Sequence, residues 1–125
     1  MIESWVIDDA GSPSLSCEVV SSALLARADG GRLETWLRSS RGRLLAFVTN
    51  GERAMVVLLD GEGDPGEHAV DTGADGESDG FVLANGQDDE YPDRDTVPLA
   101  EGLRIVECIV GTGAWPADAR WVVDR

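Results

Sequence analysis

Arg43-Leu44-Leu45-Ala46-Phe47-Val48-Thr49 and Glu52-Arg53-Ala54-Met55-Val56-Val57-Leu58-Leu59 flank the dipeptide Asn50-Gly51. Two apolar runs of strand length joined by Asn-Gly read as a β-hairpin, because Asn-Gly supplies the two positive φ angles that a two-residue type I′ turn needs. That turn sets Val48 opposite Arg53, Phe47 opposite Ala54 and Ala46 opposite Met55. Leu45, Phe47, Ala54, Val56 and Leu58 then share one face, and Leu44, Ala46, Val48, Met55, Val57 and Leu59 share the other. Both faces are apolar, so the hairpin belongs in the middle of a sheet that is at least partly covered on each side.

Helices are expected on either side of this hairpin in sequence. After Pro98, a residue suited to the first helical position, Leu99, Leu103, Val106 and Val110 recur at i, i+4, i+7 and i+11 and form one apolar stripe. Gly111-Thr112-Gly113 ends it, and Gly102 inside it weakens the helix by about 1 kcal/mol. A second helical region is expected between Ser22 and Arg38, anchored by Leu24, Leu25, Leu33, Trp36 and Leu37 and broken or kinked at Asp29-Gly30-Gly31. Further short strands are expected at 4–8, 16–20, 67–70, 80–84 and 120–123. The order predicts an α+β fold: a mainly antiparallel sheet of about five to seven strands with a central hairpin, packed by two or three helices.

The chain has 125 residues and a mass of 13.3 kDa, the size of one domain (1–125) with a core that needs no disulfide. Its hydrophobic fraction of 42% argues against intrinsic disorder. There are 24 acidic residues against 10 basic ones, every base is Arg, and the net charge is −14. The excess is local, with 9 acids and 6 Arg in residues 1–62 but 15 acids and 4 Arg in 63–125. A phosphate backbone or an anionic membrane would repel such a chain, and a basic protein is its natural partner. No stretch approaches a membrane span, and the N-terminus Met1-Ile2-Glu3-Ser4-Trp5 has no basic or apolar leader, so a cytoplasmic protein is expected. Cys17 and Cys108 form no CxxC pair and are expected to be two buried thiols. Trp5, Trp36, Trp115 and Trp121 are expected to pack the core and its rim.

Catalytic signals are sparse. His68 is the only histidine, and Glu67 and Asp71 beside it make a weak metal pattern; a solvated imidazole at a strand edge is the plainer reading. Asp60, Glu62 and Asp64 resemble the start of a calcium loop, but Pro65 and Asp71 stand where such a loop wants Gly and Glu. There is no GxGxxG, P-loop or GxSxG. No enzyme, no cofactor and no metal are expected.

Residues 80–92, Gly80-Phe-Val-Leu-Ala-Asn-Gly-Gln-Asp-Asp-Glu-Tyr-Pro92, are followed by Thr96-Val97-Pro98, a helix, Thr112-Gly113-Ala114-Trp115-Pro116 and Trp121. This order resembles the Imm-one family of immunity proteins from bacterial polymorphic toxin systems. It departs from the family pattern just before Val97-Pro98, where Asp95 and Thr96 replace an aromatic, and at Ile109-Val110-Gly111. An Arg-only chain also suits a GC-rich, actinobacterial genome. The resemblance implies a cytoplasmic antitoxin that neutralises a cognate toxin domain, such as a nucleic-acid deaminase or nuclease. An acidic protein fits this role on its own terms, since enzymes acting on nucleic acid carry basic clefts. Asn85, Gln87, Asp88, Asp89, Glu90, Tyr91 and Asp93 are the candidate toxin-binding residues, expected on an exposed loop. Asn85-Gly86 equally reads as a hairpin turn and Tyr91-Pro92 as a chain anchor. The alternative function is a small acidic interaction or regulatory module, including a nucleic-acid mimic that binds another basic protein.

Overall fold

Residues 3–8 and 14–125 are described by a computed structural model; Met1 and Ile2, which entered the reading of the N-terminus, lie outside them. The fold is α+β. Strands β1 (Trp5–Ile7), β2 (Glu34–Ser39), β3 (Leu44–Thr49), β4 (Arg53–Leu59), β5 (Glu67–Ala69) and β9 (Trp121–Val123) form an antiparallel sheet in the order β1-β2-β3-β4-β5-β9, and β8 (Val97–Pro98) pairs with the start of β4. Helices α1 (Val20–Asp29) and α2 (Leu99–Thr112) pack on one face. A second, two-stranded sheet consists of β6 (Glu77–Val82) and β7 (Asp88–Pro92).

The central hairpin stands where the two apolar faces place it, but its register differs from the sequence reading. Val48 pairs with Met55, Phe47 with Val56 and Thr49 with Ala54, a slip of two residues that leaves both faces unchanged. The cause is the turn. Gly51 (φ +93°) and Glu52 are its central pair, and Asn50 stays at negative φ. Asn50 Oδ1 instead accepts the N–H groups of Glu52 and Arg53 at 2.9 and 2.8 Å. A side chain that satisfies two turn amides holds the glycine-first turn in place of type I′.

Leu37, Leu45, Phe47, Ala54, Val56 and Leu58 meet Val20 and Leu24 of α1 and Ile105, Val106 and Ile109 of α2 in one buried core. Helix α2 lies very close to the sheet because Gly102 has no side chain: a Cβ there would sit 2.8 Å from the Cβ of Ala54. The glycine that weakens the helix in isolation is therefore what lets it seat. Gly113 (φ +81°) ends α2, its N–H bonded to Ile109 O at 2.8 Å, and the Arg43 guanidinium caps the same end through Gly113 O at 2.8 Å. Arg43 also pairs with Glu3.

Several expected elements are corrected. Of the helical region expected over 22–38, only 22–29 is helical, as part of α1. Leu33, Trp36 and Leu37 lie in or beside β2, where Leu37 faces the core and Trp36 faces out with a period of two. Segment 16–20 turns into α1 rather than forming a strand, and only Leu15 bridges to Trp5. Cys17 is exposed and Cys108 half-buried, not the two buried thiols expected. Trp115 and Trp121 stack with centroids 5.4 Å apart and pack the last strand, as expected.

Arg53, at the start of the interior strand β4, ties the main sheet to the segments around Asp71 and Asp93–Thr96. Its guanidinium donates to Asp71 Oδ2 (2.9 Å), Thr96 Oγ1 (2.7 Å) and the carbonyls of Asp93 and Thr96 (both 3.1 Å). Asp71 is thus engaged by Arg53, while the ring nitrogens of His68 meet Asp95 and Asp124. Among the described residues no helix is long and apolar enough to cross a membrane.

Candidate functional site

The candidate residues do not all lie on a loop: Asp88, Asp89, Glu90 and Tyr91 belong to strand β7, Asn85 and Gln87 to the turn before it, and Asp93 to a short 3-10 turn after it. Leu83-Ala84-Asn85-Gly86-Gln87 is a tight turn, with Gly86 at φ +88° and its N–H bonded to Leu83 O, and it joins β6 to β7. Asn85 and Gln87 are exposed at this turn, where Asn85 Oδ1 accepts the Gln87 N–H at 3.0 Å. From Asp88 the chain runs as strand β7. Alternation of acids with Tyr91 fits a strand with one wet face, but four polar residues in a row hid the pattern.

This small sheet covers the second face of the central hairpin. Ala84 N–H donates to Glu34 Oε1 (2.8 Å), Asn50 Nδ2 donates to Asp79 O (2.9 Å), and Tyr91 lines a recess with Met55 and Val57. Its inner side carries Ser78, Phe81, Asp89 and Tyr91. Phe81 is fully buried and meets Tyr91 edge-on at 5.1 Å. The Tyr91 hydroxyl donates to Asp89 Oδ2 at 2.8 Å, and its pKa is pushed up to about 12 by burial first and then by the Asp89 carboxylate. Asp93 accepts the Ser78 hydroxyl at 2.5 Å and lies 3.8 Å from Arg53. Asp89, Tyr91 and Asp93 therefore hold the hairpin together.

Its outer side carries Glu77, Asp79, Asp88 and Glu90, all exposed. A bulge between Ser78 and Phe81, with Gly80 at φ +83°, brings Asp79 to the same side as Glu90. The Glu90 carboxyl is held above its ordinary value, first by a side-chain hydrogen bond with Glu77 and then by the charge of that carboxylate, with lesser parts from desolvation and the charge of Asp79. Among the described residues, no arginine pairs with any of these four. The acids from Asp60 to Asp71 are instead neutralised in place. Arg125 binds Asp60, Asp64 and Glu67, Arg38 reaches Glu62, and Arg53 binds Asp71. The long acidic stretch of the sequence thus divides into a neutralised loop over 60–71 and a bare face on β6–β7. Composition alone makes no such division, because the neutralising arginines come from distant parts of the sequence. Glu77 and Asp79 were missed because the bulge breaks their alternation.

His68 is half-buried and held by two acids rather than freely solvated. It sits in β5 with Nδ1 2.7 Å from Asp124 and Nε2 3.2 Å from Asp95. Burial lowers its pKa, but hydrogen bonds to the two carboxylates outweigh that and raise it overall. Glu67 faces elsewhere, accepting the Trp115 indole N–H at 2.8 Å. Among the described residues no group of three His, Cys, Asp or Glu side chains converges to hold a metal ion. No family model matches the chain, and no curated protein matches it.

Proposed function

We propose that the protein is an immunity protein: it binds a basic toxin domain through the outer face of β6–β7 and neutralises it by covering its substrate cleft. The observation that carries this reading is the exposed cluster Glu77, Asp79, Asp88 and Glu90, which no arginine of the described chain pairs with; within it a hydrogen bond with Glu77, and then the charges of Glu77 and Asp79, raise Glu90's affinity for a proton. Such crowding costs the folded chain stability and returns no packing. A cationic partner relieves it. The resemblance of residues 80–121 to immunity proteins supports the same reading, which places the protein in the cytoplasm and requires no catalytic group of its own.

The face would act mainly on encounter, since complementary charge raises association rates and suppresses wrong partners, while packed contacts set the lifetime. The test is binding kinetics against the toxin domain encoded beside this gene, at two salt concentrations. Reversing Asp79, Asp88 and Glu90 to Lys should slow association by roughly ten- to a hundredfold at low salt and flatten its salt dependence. Reversing Asp60 and Glu62, which arginines already pair with, should do far less. Unchanged association and unchanged neutralisation in the triple variant would overturn the assignment.

A further inference from the structure

Strand β9 ends the main sheet on an open edge. Trp121, Val122 and Val123 are 39, 45 and 51% exposed, three consecutive apolar residues with no strand beyond them among the described residues. The opposite edge differs: at β1, Leu15 N–H bonds to Trp5 O at 2.7 Å and covers the strand. Pairing on the inner side of β9 uses alternate residues. Arg120 O accepts from Val70, Val122 lies opposite His68, and Asp124 N–H donates to Gly66 O at 2.8 Å. The backbone N–H and C=O groups of Trp121 and Val123 consequently point outward, as the alternation of an antiparallel ladder demands. An uncovered apolar edge with free ladder groups is a template for another strand.

The sequence of this edge is complementary to itself. In an antiparallel pair centred on Val122, Trp121 lies opposite Val123 of a second copy and Val123 opposite its Trp121, so that four outward N–H···O=C bonds form around a two-fold axis. Arg120 then falls opposite Asp124 at both ends, on the same side of the sheet as Val122. Arg120 is exposed, and among the described residues no carboxylate pairs with it. Asp124 is held toward this side by His68. We propose that β9 is a dimerisation edge at which two copies of this chain join through Trp121–Val123, with Arg120 of each paired to Asp124 of the other. The joined edges are short and the net charge of −14 opposes association, so the dimer is a weak one that forms near 100 µM at about physiological salt rather than at nanomolar concentration.

Sedimentation velocity and light scattering of the whole protein, from about 5 to 500 µM, test this. The wild-type chain should shift from monomer to dimer. Val123→Pro removes an outward N–H that the β5 pairing does not use, and should weaken the dimer roughly tenfold or more without lowering the melting temperature much. Arg120→Glu and Asp124→Arg should each prevent self-association by setting like charges opposite one another. Mixed in equal amounts, these two should dimerise again, because every pair in the mixed dimer is then of opposite sign. This mixing result does not depend on how Val123→Pro folds. A wild-type chain that stays monomeric across the range overturns the proposal, and so does a dimer that Arg120→Glu leaves intact or whose charge-swapped halves fail to combine.

Discussion

Gly102→Ala should destabilise the protein, against the ordinary rule for helices. In an exposed helix interior this change gains about 1 kcal/mol, since alanine loses less backbone freedom on folding. Here the new methyl would lie 2.8 Å from Ala54 Cβ, 3.5 Å from Phe47 Cε1 and 3.6 Å from Val56 Cγ2. Carbon atoms rest at about 3.5–4.0 Å, so α2 must retreat from β4 by roughly 1 Å. Overpacking of this kind costs about 1–3 kcal/mol. The difference is a net loss of about 1 kcal/mol, or roughly 3–5 °C in Tm for a chain of this length. Urea and thermal melts measure it. A double-mutant cycle with Ala54→Gly sharpens the result, because deleting the opposing methyl removes the clash. The double variant should be less damaged than the sum of the singles by about 1 kcal/mol. A stabilised Gly102→Ala, or strict additivity with Ala54→Gly, would show that the close approach of helix and sheet does not limit the core.

Phe47→Ala should cost about 3–5 kcal/mol, since Phe47 is buried in the central strand beneath α2; a loss under about 1 kcal/mol in a urea melt would refute its placement. Because the folded pKa of His68 is raised, its stabilising contribution is complete below the unfolded value near 6.5 and fades as pH rises through the higher folded value. The Tm of the wild type should therefore exceed that of His68→Gln most at about pH 6, and the gap should narrow toward pH 8.5. A gap that widens with pH would count against the ion pairs with Asp95 and Asp124. Glu90→Gln should raise Tm at neutral pH, because the amide keeps a hydrogen bond to Glu77 while losing the repulsion from Glu77 and Asp79, and the gain should shrink with added salt; a fall in Tm would mean that the Glu90 charge has a stabilising partner.

The central hairpin was legible in the sequence because two-sided apolar strands and Asn-Gly are local signals. Its register was not, because Asn50 spends its side chain on the turn amides, and dipeptide identity does not reveal that choice. Leu33, Trp36 and Leu37 suit a helical stripe and an alternating strand equally well over so short a span, and pairing with β3 decides for the strand. The stripe Leu99, Leu103, Val106 and Val110 locates helix α2, but it leaves out Ile105 and Ile109, which are buried as deeply as Val106 and more deeply than Leu99, Leu103 and Val110. For the candidate site, the acidic excess was plain but its distribution was not. Arg125 lies about sixty residues from its partners in the 60–67 loop, and such long-range neutralisation leaves no mark on local composition.

The Arg53 clasp has a mechanical consequence for any encounter on the acidic hairpin. Asp93 accepts the Ser78 hydroxyl from one side while its carbonyl accepts Arg53 from the other, and Asp71 N–H donates to Arg94 O. Load placed on β7 therefore passes within two residues into β4, the middle of the largest hydrogen-bonded array in the molecule. A partner meets a stiff plate rather than a tethered flap. Little ordering entropy is left to lose on contact, and shape as well as charge can discriminate between partners. The same stiffness ties the two sheets into one cooperative unit, so amide exchange in β6 and β7 should be governed by the opening of β4 rather than by local fraying of the hairpin.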